Sequence, residues 1–280
     1  MSTRSASSVA PALILVSHGS SVEPHCYEPV IELAQRLGLD ASFRAVAVGF
    51  HKQSPSLEEA WQKVGDGPVI VVPFLASAGF FAARFMPGRM GLEPESFGVV
   101  QTVEGRPTVY TEPVGTHPHM HSIAYAVAQA LVDDESALDA ATTTLLVVGH
   151  GTPRHRESGA SVHRCVAELS ARSAWPTVTA AFVDEAPFID AIADDLPEGH
   201  VLVLPYFVAN GPHVSGDIPE GLGVEADDLW ANPHVVGGHR FWFAPAVGTH
   251  PSMIDIVGAR VDEAHQLLNS YFSDRRPRHG

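Results

Sequence analysis

Three side chains of this 280-residue chain, His150, Glu185 and His213, combine types that can do chemistry together. Two imidazoles and a carboxylate suit a borderline divalent ion such as cobalt, iron, nickel or zinc. A neutral imidazole also accepts a proton, and a nearby carboxylate can act as base or orient a ring. Residues so far apart in sequence meet only if each sits at the same end of a different structural element.

The flanking sequence provides that common end. LLVVGHG, from Leu145, is an apolar strand breaking into a glycine-flanked loop, which puts His150 at the strand's carboxyl end. Glu185 follows the strand TVTAAFV, and His213 follows HVLVLPYFV. In an open α/β sheet, ligands sit in the crevice outside the carboxyl ends of the strands.

The arrangement occurs twice. LILVSHGSS places His18 as LLVVGHGT places His150, 132 positions on (150 − 18), and Pro55/Pro187, Pro73/Pro205 and Gly79/Gly211 keep the same offset. PVGTHP and AVGTHP repeat with a slip of one residue. A near-constant offset over five landmarks marks an internal duplication. It predicts two similar parallel-sheet α/β domains, residues 1–140 and 141–280, related by a pseudo-dyad with a cleft between them.

Strands are expected at LILVS, RAVAVGF, VIVVPFL and PTVYTEPV, and again at LLVVG, TVTAAFV, HVLVLPYFV and FWFAPAV. Helices are expected over Pro29–Leu37, Ser56–Val64, His119–Leu131, Ser161–Ser170, Pro187–Asp194 and Ser252–Leu268, with a long loop after the third strand of each half. At the 132 offset the first half offers His18, Gln53 and Phe81. Only one of these keeps a metal-competent group, so the working site belongs to the second half and the first is a wall of the cleft. His18 either lines that cleft or keeps its loop folded. His51 is set aside as lying deeper on its strand.

Composition narrows the partners. Seventeen basic residues against 32 acidic ones, a net charge of −15, do not supply the clustered cations that nucleic acid requires. Two cysteines, Cys26 and Cys165, form no CxxC pair and read as free thiols in a reducing, cytoplasmic compartment. The apolar stretch Val69 to Phe85 is broken by Pro73 and Gly79 and is not a membrane span. The amino terminus reads as a ragged start without a signal sequence. Phosphate loops of the GxxxxGK[ST] and GxGxxG kinds are absent.

HGS and HGT after apolar strands, FxxExP at Phe182 to Pro187, and PYFVANGPHVSGDIPE together resemble the class II tetrapyrrole chelatases of the CbiX, SirB and CbiK type, in a tandem two-domain form. The resemblance implies ATP-independent insertion of cobalt or iron into sirohydrochlorin or a related tetrapyrrole, for cobalamin or siroheme synthesis. His150 and His213 then match the metal-binding histidines and Glu185 the acidic partner, which is either a third ligand or, as the need to pass the ion on favours, a base or orienting group. The first half departs from the pattern with Phe81 and no DIP.

An octacarboxylate macrocycle needs cations, and Arg154 and Arg156 near His150, Arg84 and Arg89 in the first half's loop, and His18 are the candidate substrate-binding residues. No cofactor is expected beyond the substrate metal, with Ni²⁺ also admissible, and a monomer is expected because the duplication supplies both halves. A non-catalytic metal or tetrapyrrole carrier is the competing reading. A histidine phosphatase is disfavoured because Ser17 and Gly149, not arginines, precede the histidines.

Overall fold

A computed structural model describes residues 10–155, 157–172, 174–225 and 227–275. Two five-stranded sheets form, one in each half of the chain. The first half contains β1 (Ala12–Ser17), α1 (Glu28–Leu37), β2 (Ala45–Phe50), α2 (Leu57–Lys63), β3 (Val69–Pro73), α3 (Met86–Arg89), β4 (Val100–Val103), β5 (Arg106–Tyr110) and α4 (Met120–Asp134). The second contains β6 (Thr144–Gly149), α5 (Ala160–Arg172), β7 (Thr177–Phe182), β8 (Gly199–Pro205), α6 (Ile218–Gly221), β9 (His234–Val236), β10 (His239–Phe243) and α7 (Met253–Asp274). Strand orders are β2-β1-β3-β5-β4 and β7-β6-β8-β10-β9, parallel except for the edge strands β4 and β9.

The central strands are buried on both faces, which is why β1 and β6 read as unbroken apolar runs. Leu13, Leu15, Ile70 and Val72 of one sheet share a single core with Leu145, Val147, Leu202 and Leu204 of the other. The opposite faces carry separate cores, Ile14, Val16 and Val71 in the first half and Leu146, Val148 and Val203 in the second.

The helices over this shared core are exchanged. α7, at the end of the second half, packs on β3, β5 and β4 of the first sheet, and α4 packs on β8 of the second sheet and beside α5. Arg260 of α7 donates to Thr116 Oγ1 at 2.8 Å and to the Pro113 carbonyl at 3.3 Å, and Tyr206 after β8 donates to the Gly115 carbonyl at 2.8 Å. A boundary at residues 140/141 therefore separates the sheets but not their packing units.

Three sequence expectations need correction. The helix expected over Pro187–Asp194 is absent; only a short 3₁₀ turn, Ile192–Asp195, forms. The reason lies at its start. Ser56 and Glu59 make a capping box on α2, whereas the matching residues, 132 positions on, are Phe188 and Ala191, which cannot cap. The backbone instead folds back on β7, Ile189 N–H donating to the Phe182 carbonyl at 2.9 Å. The long loops also contain structure: widened π-helical turns over Phe81–Phe85 and His213–Asp217 that run into α3 and α6. Finally, β4 and β9 form hairpins with β5 and β10, turning at Glu104-Gly105 and Gly237-Gly238.

Candidate metal and tetrapyrrole site

His150 follows β6 and His213 opens the π-helical turn after β8, neighbouring strands of one sheet. Their rings lie edge to face with centroids 4.6 Å apart. One ion that binds a nitrogen of each ring at about 2.0–2.1 Å can span that separation.

Both rings are held from behind. The Nδ1–H of His150 donates to the Gly151 carbonyl at 2.6 Å, and that of His213 donates to Asp217 Oδ2 at 2.5 Å. A carbonyl and a carboxylate only accept, so Nδ1 carries a proton in each ring and Nε2 is the atom left for an ion. The π-helical turn makes the second contact, because it stacks Asp217 four residues after His213 on the same face. Asp217 is not among the sequence candidates; its signal is the i, i+4 spacing in HVSGD, which has no meaning in a loop and puts both side chains on one face once the stretch is helical. Asp217→Asn keeps an acceptor but loses the charge, and should weaken Co²⁺ binding by about 10-fold in calorimetry. Unchanged affinity would make Asp217 a surface partner only.

Glu185 does not join the pair. Its Oε2 accepts the Thr152 N–H at 3.0 Å, inside the loop that carries His150. A Cβ at Gly151 would meet Glu185 Cγ at 2.5 Å, and one at Gly159 would meet Oε1 at 2.1 Å, so glycines cradle the carboxylate. Gly151 also has φ +68°, which favours glycine, and this accounts for the HG dipeptide. Among the described residues no group of three His, Cys, Asp or Glu side chains is placed to hold a metal.

The first half repeats the scaffold with altered side chains. His18 Nδ1–H donates to the Gly19 carbonyl at 2.9 Å, and Gln53 Oε1 accepts the Ser20 N–H at 2.8 Å as Glu185 accepts that of Thr152. Phe81 and Phe85 stand where His213 and Asp217 stand, and with His18 and His51 they form an aromatic cluster: His18–Phe81 4.8 Å and His51–Phe85 4.5 Å between centroids. His51 does face this cluster, 5.7 Å from His18. Burial, first of all, lowers the pKa of both imidazoles below the ordinary histidine value.

A cleft between the halves joins the two scaffolds. His18, Ser20, Ser21 and Lys52 line it from one side, and Phe207 and His213 from the other. His18 therefore lines the cleft and keeps its loop folded at once.

Of the expected arginines, Arg154 is exposed, its backbone N–H donating to Thr152 Oγ1 at 3.3 Å. Arg156 lies outside the described residues. Arg84 is paired with Glu95 at 2.6 Å and Arg89 with Glu58.

Two α/β lobes meeting at a histidine-lined cleft, one lobe keeping an anchored histidine pair, define a duplicated metal-handling fold. The CbiX family model matches the chain twice, over residues 12–131 and 144–264, and the protein belongs to that family. A "Probable sirohydrochlorin cobaltochelatase" of Halobacterium salinarum is 30% identical over 268 residues, 90% of this chain and 91% of that protein. A "Sirohydrochlorin cobaltochelatase" of Methanopyrus kandleri is 34% identical over 30% of this chain and 61% of its own.

Solved structures share the fold. A multi-domain protein of Deinococcus radiodurans described as similar to chelatases has a TM-score of 0.71 at 22% identity, with 91% of this chain and 56% of that one covered. SirB of Bacillus subtilis with Fe³⁺ has a TM-score of 0.66 at 14% identity, with 91% and 96% covered. CbiX, described as the terminal enzyme of siroheme biosynthesis in denitrifying bacteria, has a TM-score of 0.63 at 21% identity, with 91% and 99% covered. No helix among the described residues is long and apolar enough to cross a membrane.

Proposed function

We propose that the protein inserts a divalent ion, Co²⁺ or Fe²⁺, into sirohydrochlorin or a close relative, without ATP, with His150 and His213 receiving the ion. The observation that carries this reading is the back-anchored histidine pair, in a family whose full-length relative is named a probable sirohydrochlorin cobaltochelatase.

The pair suits the reaction's balance. Insertion moves one M²⁺ into the macrocycle and releases two pyrrole protons. Two neutral imidazoles hold the ion without an anionic ligand to retain it, and once vacated each can take up one proton. The ion's two charges leave and two proton charges arrive, so the net charge of the pocket is unchanged through the step. Asp217 stabilises the imidazolium formed on His213.

Glu185 is then a positioning group for the His150 loop, a role Gln53 fills in the other half without a charge. Glu185→Gln should keep Co²⁺ affinity and metallation within a few-fold, while Glu185→Ala should loosen the loop and impair both. A 100-fold slower Glu185→Gln variant with intact Co²⁺ binding would reassign the carboxylate as the base.

Spectrophotometric metallation tests the reading as a whole, with sirohydrochlorin and protoporphyrin offered against Co²⁺, Fe²⁺ and Ni²⁺. Turnover well beyond one equivalent of protein is expected with sirohydrochlorin. Saturation at one equivalent would make the protein a carrier.

A further inference from the structure

The second half carries Asp184 and Glu185 in the segment after β7 and Asp217 beside His213, and the matching positions of the first half hold none of these carboxylates. Backbone contacts make the comparison position by position. Lys52 N–H donates to the His18 carbonyl at 2.8 Å, as Asp184 N–H donates to that of His150 at 2.8 Å. Gln53 matches Glu185 through the paired loop hydrogen bonds, and Phe85 matches Asp217 at the end of the π-helical turn. A carboxylate has become an ammonium, a second an amide and a third a phenyl ring.

A decayed metal site would lose its ligands without acquiring an opposite charge. Lys52 and Lys63 are the chain's two lysines, in a protein of net charge −15. One of them lies on the cleft wall facing His213. Among the described residues it takes part in no ion pair or hydrogen bond through its side chain. His18 beside it has a pKa lowered chiefly by burial, so near neutral pH the ammonium is the cationic group of that wall. Arg84 and Arg89, in the segment after β3, are committed to Glu95 and Glu58.

We propose that Lys52, with Ser20 and Ser21 on the same wall, forms a subsite for a peripheral carboxylate of the macrocycle. The duplicated cleft is thereby divided into a histidine side that receives the cation and a lysine-bearing side that receives the polyanion. The assignment rests on the tetrapyrrole reading above and adds where its acid groups are gripped. It also gives the lack of carboxylates on that wall a function: they would repel the substrate.

The test is binding of metal-free sirohydrochlorin, followed by absorbance, to the full-length protein and to Lys52→Gln, Lys52→Glu and Lys63→Glu. Lys63 is exposed at the end of α2 and is not among the residues lining the cleft, so it reports long-range charge alone. Lys52→Gln should raise the Kd about 10-fold and Lys52→Glu further, in line with a lost charged contact. Lys63→Glu should change it little, and Co²⁺ affinity by calorimetry should stay within two-fold or so in all three. Equal weakening by Lys52→Glu and Lys63→Glu would overturn the subsite, as would Lys52→Glu binding like the unaltered protein. Turnover separates the two claims. Lys52-dependent binding without metallation would sink the chelatase reading and leave the subsite standing, whereas metallation with a macrocycle KM indifferent to Lys52 would do the reverse.

Discussion

Replacing His150 or His213 by alanine is expected to lower Co²⁺ affinity by on the order of 100-fold and to abolish measurable metallation, while thermal stability hardly changes. The size follows from the ligand count. Losing the group behind a ligand costs about 10- to 100-fold in affinity, and losing one of only two imidazoles costs at least the upper end of that range. Among the described residues no third ligand, carboxylate or thiol, stands ready to compensate. Stability is spared because His150 is exposed and the His213 side chain is 45% exposed, and such positions shift stability by roughly half a kcal/mol. Gln53→Ala in the first half is the comparison, since it removes two loop hydrogen bonds, to the Ser20 N–H and the Pro24 carbonyl, and no metal ligand. If Gln53→Ala lost Co²⁺ binding as completely as His213→Ala, the site would belong to the other scaffold. Calorimetry with Co²⁺ in the absence of tetrapyrrole reads this without relying on turnover.

Much of this site was legible because the duplication provides its own control. A 132-residue offset lines up His18 with His150 and exposes Phe81 as the odd member, and the structure keeps that correspondence down to single hydrogen bonds. Glu185 is legible by position, but the sequence does not choose between ligand, base and orienting group. Periodicity and spacing place a carboxylate at a strand end without saying whether it faces the cleft or folds under the neighbouring loop, which here depends on the room left by Gly151 and Gly159. Asp217 was missed because a π-helical turn of five residues leaves no periodic trace, and β4 and β9 because three or four residues are too few to show alternation. Lys52 was invisible for a different reason: a lone lysine gains meaning only once the other half shows an aspartate in its place.

Removing the seam made by α7 should unfold the first half of the molecule, although α7 belongs to the second half of the sequence. An apolar stripe shows that a helix face is buried but not which sheet buries it, so the exchange lay beyond sequence reading. α7 buries Met253, Ile256, Val257, Val261, Ala264 and Leu268, and its contacts are with β3, β4 and β5. At roughly 1.5–3 kcal/mol for each large apolar side chain, that face contributes on the order of 10 kcal/mol, comparable with the whole stability of a typical domain. A chain ending at residue 250 is therefore expected to lose cooperative unfolding in both halves. Val257→Asp in the full-length chain tests the same seam with one substitution, because Val257 is fully buried in the shared core and an unpaired carboxylate there costs several kcal/mol. Tryptophans report from both sides, Trp61 in the first half and Trp242 in the second. Their signals in denaturant should move together to a lower midpoint, as one cooperative unit requires. A fragment of residues 1–140 that folded as a stable monomer with a sharp transition of its own would show that the first sheet does not need α7, and the exchanged-helix account of stability would fall.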